Sequence, residues 1–212
     1  MTEEEKIFAG MLFFPGDQQL KAIKLKAHNL NIDFNALHED ETEKRASILK
    51  ELLGSLGENS FIQGPVTFHY GKHTFIGSHT FINFNLTVQD DAVVKIGDHC
   101  DFGPNVTIVT PMHPLIASER EALITAEGEK RRLCYAKPVT VGNGCWLCAN
   151  VTVLPGVTIG DNCVIGAGSV VTEDVPANSF AAGVPCRVIR EITAEDSIAK
   201  KPEFSGQCEV IK

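Results

Sequence analysis

A six-residue repeat runs through most of this 212-residue chain. Downstream, an aliphatic residue recurs at every sixth position, at Val141, Leu147, Val153, Ile159, Ile165 and Val171. Upstream the same phase continues, with two eight-residue steps, at Ile62, Phe68, Ile76, Ile82, Val88, Ile96, Phe102 and Ile108. A period of six fits neither the 3.6 residues of a helical turn nor simple strand alternation. It is typical of a coil built from short strands and turns.

A second set of small or apolar residues stands four places after the first and includes Cys100, Val106, Cys145, Val151, Val157 and Cys163. Both sets are expected to point into the coil, where stacked turns form parallel sheets with continuous side-chain ladders. The repeat therefore predicts an all-β solenoid.

The chain has seven cysteines, an odd number. With no secretory signal in the sequence, we expect reduced thiols rather than an extracellular disulfide framework. Cys145 and Cys148 form a CxxC pair, but no second pair completes a four-ligand site. The sequence therefore predicts no metal site.

Residues 1–57 lack the repeat and are expected to form a helical cap over the open first coil. Thr2 and Asp17 are suitable N-caps for two helices, the first carrying Ile7 and Met11 on one side. A third helix is predicted from about Thr42 to Leu53, with a stop signal at Gly54.

The repeat breaks once, between Ile108 and Val141, and this excursion begins and ends with prolines. Long loops in regular folds are usually functional. The sequence therefore divides into the cap (1–57), the repeat coil (58–191) with its loop (111–137), and a C-terminal tail (192–212).

Charge and hydropathy limit the partners. The formal net charge is −8, so neither nucleic acid nor an anionic membrane is expected as a partner. The acidic N-terminus and the lack of a long apolar run predict a cytoplasmic protein with no membrane span.

Several motifs together resemble the hexapeptide acyltransferases, within them the maltose and galactoside O-acetyltransferase group and the nodulation acetyltransferases. The matching segments include 57–59, 82–87, 90–91, 96–98, 104–106, 113–114, 138–142, 153–160, 165–172 and 182–190. The resemblance implies a left-handed parallel β-helix that works as a homotrimer, with sites between neighbouring coils. It also implies transfer of an acetyl group from acetyl-CoA to a hydroxyl of a small sugar such as maltose, glucose or a galactoside, with no metal required.

The resemblance assigns the chemistry to two residues. His113 would act as the general base that takes a proton from the acceptor hydroxyl as it attacks the thioester directly in a ternary complex. Asn83 matches a family asparagine close to that histidine and to the sugar. Asn83 could instead belong to a ladder of turn asparagines.

The acceptor side departs from the family pattern more than the catalytic side does. Asp91 matches a family acceptor-site carboxylate, although a surface turn would also explain it. Cys134 is also expected in the acceptor site, where relatives often carry an acidic residue. The remaining expected acceptor-site residues are Asp17, His69, Phe81 and Trp146.

For coenzyme A, the matching positions that could contact pantetheine are Ala149, Ala167 and Thr172. Arg187 and Arg190 are candidates for the phosphates, because guanidinium groups bind phosphate in a bidentate manner. The alternative for these arginines is an ion pair with Glu191 or Asp174. Glu173 stands where relatives often carry a basic residue.

Three other functions remain open. An acetyltransferase for another small hydroxyl or amine acceptor, such as serine or an antibiotic, would share the coil and His113. A zinc enzyme resembling γ-carbonic anhydrases would need three histidines from neighbouring subunits. A non-enzymatic scaffold would need neither His113 nor Asn83.

Overall fold

The helices lie mainly at the N-terminus of the computed structural model, which describes residues 1–204. Thr2 caps the first helix by accepting from the backbone N–H of Glu5, and Asp17 caps the second by accepting from Gln19 and Leu20. The first helix ends at Phe8, so Met11 lies outside it. The helices are α1 (Glu3–Phe8), α2 (Gln18–Asn35), α3 (Thr42–Leu52) and α4 (Ala117–Glu121).

Three parallel sheets form the three sides of the coil. The first sheet contains β1 (Ser55–Leu56), β4 (Thr74–Ile76), β7 (Val94–Ile96), β14 (Val139–Val141) and β17 (Thr158–Ile159). The second contains β2 (Phe61–Ile62), β5 (Phe81–Ile82), β8 (Asp101–Phe102), β15 (Trp146–Leu147), β18 (Val164–Ile165), β20 (Ser179–Ala182) and the antiparallel β21 (Arg187–Glu191). The third contains β3 (Val66–Phe68), β6 (Leu86–Gln89), β9 (Thr107–Val109), β16 (Thr152–Val153) and β19 (Val170–Val171).

The interior of the coil follows the repeat. Every first-position residue from Ile62 to Val171 is buried, and so are the fourth-position residues. The thiols of Cys100, Cys145 and Cys163 donate to carbonyl oxygens of neighbouring coils. The predicted left-handed parallel β-helix with a helical cap and one long loop is confirmed.

The cap satisfies the open edge of the third sheet. Asn31 on α2 donates to the carbonyl of Phe68 at 2.7 Å and accepts from its N–H at 3.1 Å. Asn35 makes the same pair of bonds with Val66 at 2.8 Å. Because these bonds occupy strand β3 as a further strand would, the helix blocks edge-to-edge pairing. The coil begins slightly earlier than expected, since β1 at Ser55–Leu56 already pairs with β4.

The loop is closed at its base by two short antiparallel strands, β10 (Pro111–Met112) and β13 (Tyr135–Ala136). A small hairpin extends it, formed by β11 (Leu123–Ile124) and β12 (Lys130–Arg131). The tail continues as short 3-10 turns up to Phe204. The remainder of the expected tail, including Cys208, lies outside the described residues. Among residues 1–204, none of the helices combines the length and the apolar character that crossing a bilayer requires.

Candidate active site

His113 follows directly after β10, at the point where the loop leaves the coil. The antiparallel register pairs Pro111 with Ala136 and Met112 with Tyr135. Continuing this register by one residue places His113 opposite Cys134. Cys134 in turn exchanges two backbone hydrogen bonds with Phe13, at 2.9 and 3.1 Å. The exposed His113 therefore lies at an edge built jointly by the loop and the N-terminal cap.

Asp91 lies at the end of the third sheet below this edge and is only 5% exposed. The pKa of its carboxyl is raised to about 6. Burial is the main cause, neighbouring Asp90 contributes to the rise, and Lys24 and His73 oppose it. Within residues 1–204 no other residue donates a hydrogen bond to this carboxylate. Since a buried, underpartnered carboxylate is costly, a hydroxyl donor from a ligand would stabilise it.

Cys134 and Tyr70 surround Asp91. Burial raises the pKa of the Cys134 thiol to about 12, with Asp91 as the next cause. Cys134 is therefore a neutral thiol rather than a substitute for a carboxylate. The hydroxyl of Tyr70 is buried and is the one buried side-chain polar atom of residues 1–204 without a hydrogen-bond partner.

His69 lies beside this group. Its ring lies 5.1 Å from that of Tyr70, edge to face, and its Nδ1 is 3.3 Å from Nε2 of His28 on α2. Burial, together with the nearby positive charges of Lys24 and His28, lowers the pKa of His69 to about 4. His69 is therefore neutral at pH 7 and can both donate and accept a hydrogen bond.

We define the acceptor corner as His69, Tyr70, Asp91, His113 and Cys134. The sequence singled out four of these five residues. Tyr70 was missed because a lone tyrosine in a repeat resembles a core residue. Its missing hydrogen-bond partner is visible only in three dimensions.

Asn83 lies away from the acceptor corner within one chain. It follows β5 and precedes β6, whereas Asp91 follows β6 and His113 follows the parallel neighbour β9. The four residues of β6, at about 3.3 Å each, separate the two ends by at least ~13 Å. Asn83 accepts from the N–H of Phe84 at 2.8 Å. It does not belong to the turn asparagine ladder, which Asn85 and Asn105 form instead.

The other expected acceptor residues are dispersed. Phe81 and Trp146 both point outward from the second sheet, in one column with Asp101 between them. Phe81 stacks on Phe61 with ring centroids 6.2 Å apart. Asp17 is occupied as the N-cap of α2. One chain therefore does not bring Phe81 and Trp146 to the acceptor corner.

Two of the three expected pantetheine positions lie along one corner of the coil, and Thr172 follows β19 at the next corner. Ala149 and Ala167 follow β15 and β18, which are paired neighbours in the second sheet. The adjacent turn is open: a Cβ at Gly168 would meet no atom within 4 Å, and Ala167 and Thr172 are exposed. This open strip of small residues has room for an elongated ligand.

The two arginines lie on β21, and both have acidic neighbours. Nη1 of Arg187 is 3.6 Å from Oε2 of Glu173, and both side chains are largely exposed. Arg190 forms two hydrogen bonds with Asp196, at 2.8 and 2.7 Å. These partners, Glu173 and Asp196, differ from the expected Glu191 and Asp174. Exposed pairs of this kind are weak and can be exchanged for a phosphate.

Within residues 1–204, no group of three or more histidine, cysteine, aspartate or glutamate side chains is arranged to hold an ion.

Two family models match the chain. The maltose acetyltransferase hexapeptide capping motif matches residues 6–57, and the bacterial transferase hexapeptide (six repeats) matches residues 138–173. The first corresponds to the helical cap and the second to the longest uninterrupted part of the coil.

Individual proteins match over nearly the whole length. The galactoside O-acetyltransferase of Escherichia coli K12 is 45% identical over 196 residues, which cover 92% of each chain. A solved galactoside acetyltransferase in complex with coenzyme A has a TM-score of 0.84 at 45% identity and covers 92% of this chain and 94% of its own. A maltose O-acetyltransferase from Clostridium difficile 630 has a TM-score of 0.84 at 39% identity, covering 91% and 98%.

Proposed function

This chain belongs to the hexapeptide-repeat acetyltransferases of the maltose and galactoside group, and on that premise we propose that it transfers an acetyl group from acetyl-CoA to a hydroxyl of a small sugar. The observation that carries the proposal is the position of His113. An exposed imidazole stands at an edge shared with a buried carboxylate that receives no hydrogen bond from another of the described residues. This combination suits a base and an anchor for a polyhydroxyl acceptor.

His113 acts as the general base. A neutral imidazole accepts the proton of the acceptor hydroxyl while that oxygen attacks the thioester carbon. The new C–O bond forms through a tetrahedral oxyanion, and its collapse breaks the C–S bond. The proton held by His113 then passes to the departing thiolate, so that the products are the acetyl ester and free coenzyme A. No acyl-enzyme is needed.

Asp91 and His69 orient the acceptor. The Asp91 carboxylate accepts hydrogen bonds from sugar hydroxyls, and those bonds supply the donors that it lacks in the free protein. The neutral imidazole of His69 can donate to one hydroxyl or accept from another. Cys134 contributes a neutral wall of the pocket.

Asn83 is supplied by a second copy of the chain. Asn83 and His113 lie at opposite ends of the third sheet, so one chain cannot bring both to one acetyl group. A homotrimer in which the Asn83 end of one coil faces the His113 end of the next completes the site. The amide of Asn83 then stabilises the oxyanion, while the outward-pointing Phe81 and Trp146 line the same interface.

Coenzyme A is held along the corner that carries Ala149 and Ala167, where small side chains expose the backbone to the pantetheine amides, and it extends to Thr172 at the next corner. Arg187 and Arg190 bind its phosphates by exchanging their surface carboxylate partners. Glu173 weakens one phosphate contact, because it adds negative charge beside Arg187.

A panel of sugars with detection of released thiol tests the activity. His113→Ala is expected to lower kcat with the best acceptor by about 10²–10⁴-fold, since the general base is lost. The matched control is His38→Ala, which changes an exposed histidine just beyond α2 and should leave turnover unchanged. Near-normal turnover in His113→Ala, or faster acetylation of an amine than of any sugar, would contradict the proposal.

A further inference from the structure

His73 is a fully buried histidine with no role in the chemistry described so far. It is 1% exposed and lies on the turn between β3 and β4. Its imidazole joins three segments of the chain: its own turn, helix α1, and the turn that carries Asp90 and Asp91. The last of these turns supplies the carboxylate of the acceptor corner.

Both ring nitrogens of His73 face hydrogen-bond acceptors. Nδ1 lies 2.9 Å from the carbonyl oxygen of Asp90 and 2.9 Å from that of Asp91. Carbonyl oxygens only accept, so Nδ1 must be the donor. Nε2 lies 2.9 Å from Oε1 of Glu4 on α1.

Glu4 is ionised, which settles the direction of that bond. Burial alone would raise its pKa, but hydrogen bonds from Lys72 and His73 bring the pKa of Glu4 below its ordinary value. The Nζ of Lys72 lies 2.6 Å from the same oxygen. A carboxylate only accepts, so these contacts call for an N–H at Nε2 as well as at Nδ1.

The ring of His73 fixes the turn from one side while side-chain bonds fix it from the other. Asp90 accepts from the N–H of Tyr70 at 2.7 Å and from the hydroxyl of Thr74 at 2.8 Å. With both carbonyls of the Asp90–Asp91 turn also bound by His73, the backbone that aims the Asp91 side chain has little freedom.

We propose that His73 is a positioning residue for the acceptor: held doubly protonated by Glu4, it orients the Asp90–Asp91 turn and keeps the Asp91 carboxylate ionised. This inference rests on the proposed role of Asp91 in acceptor binding. It also gives helix α1 a function, since α1 supplies the counter-charge that keeps His73 protonated.

The charges around both groups agree with this role. His73 is faced by Glu4 and Lys72 and by the two aspartates, while the rings of Tyr70 and Phe8 each lie 4.8 Å from its own. Asp91 is faced by Asp90, Lys24, His73, Tyr70 and Cys134. Of these groups, the cations facing Asp91 are Lys24 and His73. Loss of one should therefore raise the pKa of Asp91.

His73→Gln tests the kinetic consequence, because glutamine keeps an N–H donor and removes the charge. We expect the acidic limb of kcat/KM for the acceptor to move up by about one pH unit. The variant should therefore be about fivefold less efficient than wild type at pH 6 and within about twofold above pH 8. KM for acetyl-CoA should stay within about twofold of wild type. His38→Gln, the same change at an exposed histidine, should leave the limb in place.

Imidazole ¹⁵N NMR at pH 7 tests the protonation state without any turnover. The wild-type protein should show two protonated nitrogens for His73, and Glu4→Gln should show one unprotonated nitrogen. Thermal unfolding of each variant reports whether it is folded.

The outcomes separate the two proposals. If the wild-type protein acetylates no sugar, the proposed function fails and the NMR result alone decides the state of His73. An unprotonated His73 nitrogen in wild-type protein overturns this inference. So does a His73→Gln profile that is lowered equally at every pH, because that result indicates a structural role only.

Discussion

The coil interior and the acceptor corner bury different kinds of side chain. In the coil, each position is one member of a ladder, and side chains such as Leu147 are fully buried among apolar neighbours. In the acceptor corner, the buried groups differ from one another, come from the coil and the loop, and pack against apolar side chains of the cap. Asp91 is nearly as buried as a core residue and lacks a hydrogen-bond donor from another described residue.

This difference shows where stability and function lie. Apolar burial in the coil stabilises the fold at every repeat, by roughly 1.5–3 kcal/mol for each large side chain. The corner holds charge at a cost in folding free energy, as sites that must bind a ligand commonly do. Substitutions in the two regions should therefore change stability in opposite directions.

The largest expected effect is in the coil. Leu147→Ala removes a side chain with no exposed surface from the middle of the second sheet and should lower the free energy of unfolding by ~2–5 kcal/mol. Denaturant titration followed by circular dichroism measures it. The matched control is Leu25→Ala, at an exposed position on α2, which should cost less than about 1 kcal/mol. Equal losses in the two variants would remove the distinction between coil interior and surface.

A smaller effect of opposite sign is expected at the corner. The pKa of Asp91 is raised from 3.8 to about 6 in the folded state, so the unfolded chain loses this proton more easily. Stability from this group is therefore lost as pH rises from about 4 to about 6, and the penalty persists at pH 7. A difference of this size corresponds to up to roughly 3 kcal/mol.

Asp91→Asn removes that penalty. The variant should be more stable than wild type at pH 7 by about 1–3 kcal/mol, with the gain vanishing below about pH 4. Denaturant midpoints measured between pH 4 and 8 test this, together with acceptor KM, which should rise. Asp40→Asn, at an exposed position in the turn before α3, is the control for loss of one negative charge. If Asp91→Asn is instead less stable than wild type at pH 7, substitutions in the acceptor corner destabilise the protein as those in the coil do, and the contrast between the two regions is wrong.

The coil was predictable because its information is local and repeated. Six-residue spacing alone identifies Ile82, Leu147 and Ile165 as inward, and one misread position would not change the pattern. The caps at Thr2 and Asp17 were equally predictable, since a cap depends on the two or three residues that follow it.

The corner was only partly predictable, because its contacts join distant segments. Resemblance pointed to His113 and Asp91, yet nothing local indicates that Glu4 meets His73 across 69 residues. The same holds for Cys134, whose partner Phe13 is on the cap. Burial, which decides the ionisation of Asp91 and His69, is a property of the assembled chain.

The smallest effect is expected at the start of α2. This helix covers the open edge of the coil and also carries Lys24, which faces Asp91 in the acceptor corner. Asp17 accepts from the N–H groups of Gln19 and Leu20 at 2.9 and 3.1 Å, so Asp17→Ala should cost about 1 kcal/mol in unfolding free energy. If Asp17 acts only as this cap, Asp17→Ser should restore stability and acceptor KM together, because serine also caps. If Asp17 also contacts the sugar, serine should restore stability while acceptor KM stays high. Unfolding midpoints and acceptor KM measured on the same two variants therefore decide whether this carboxylate belongs to the fold or to the acceptor site.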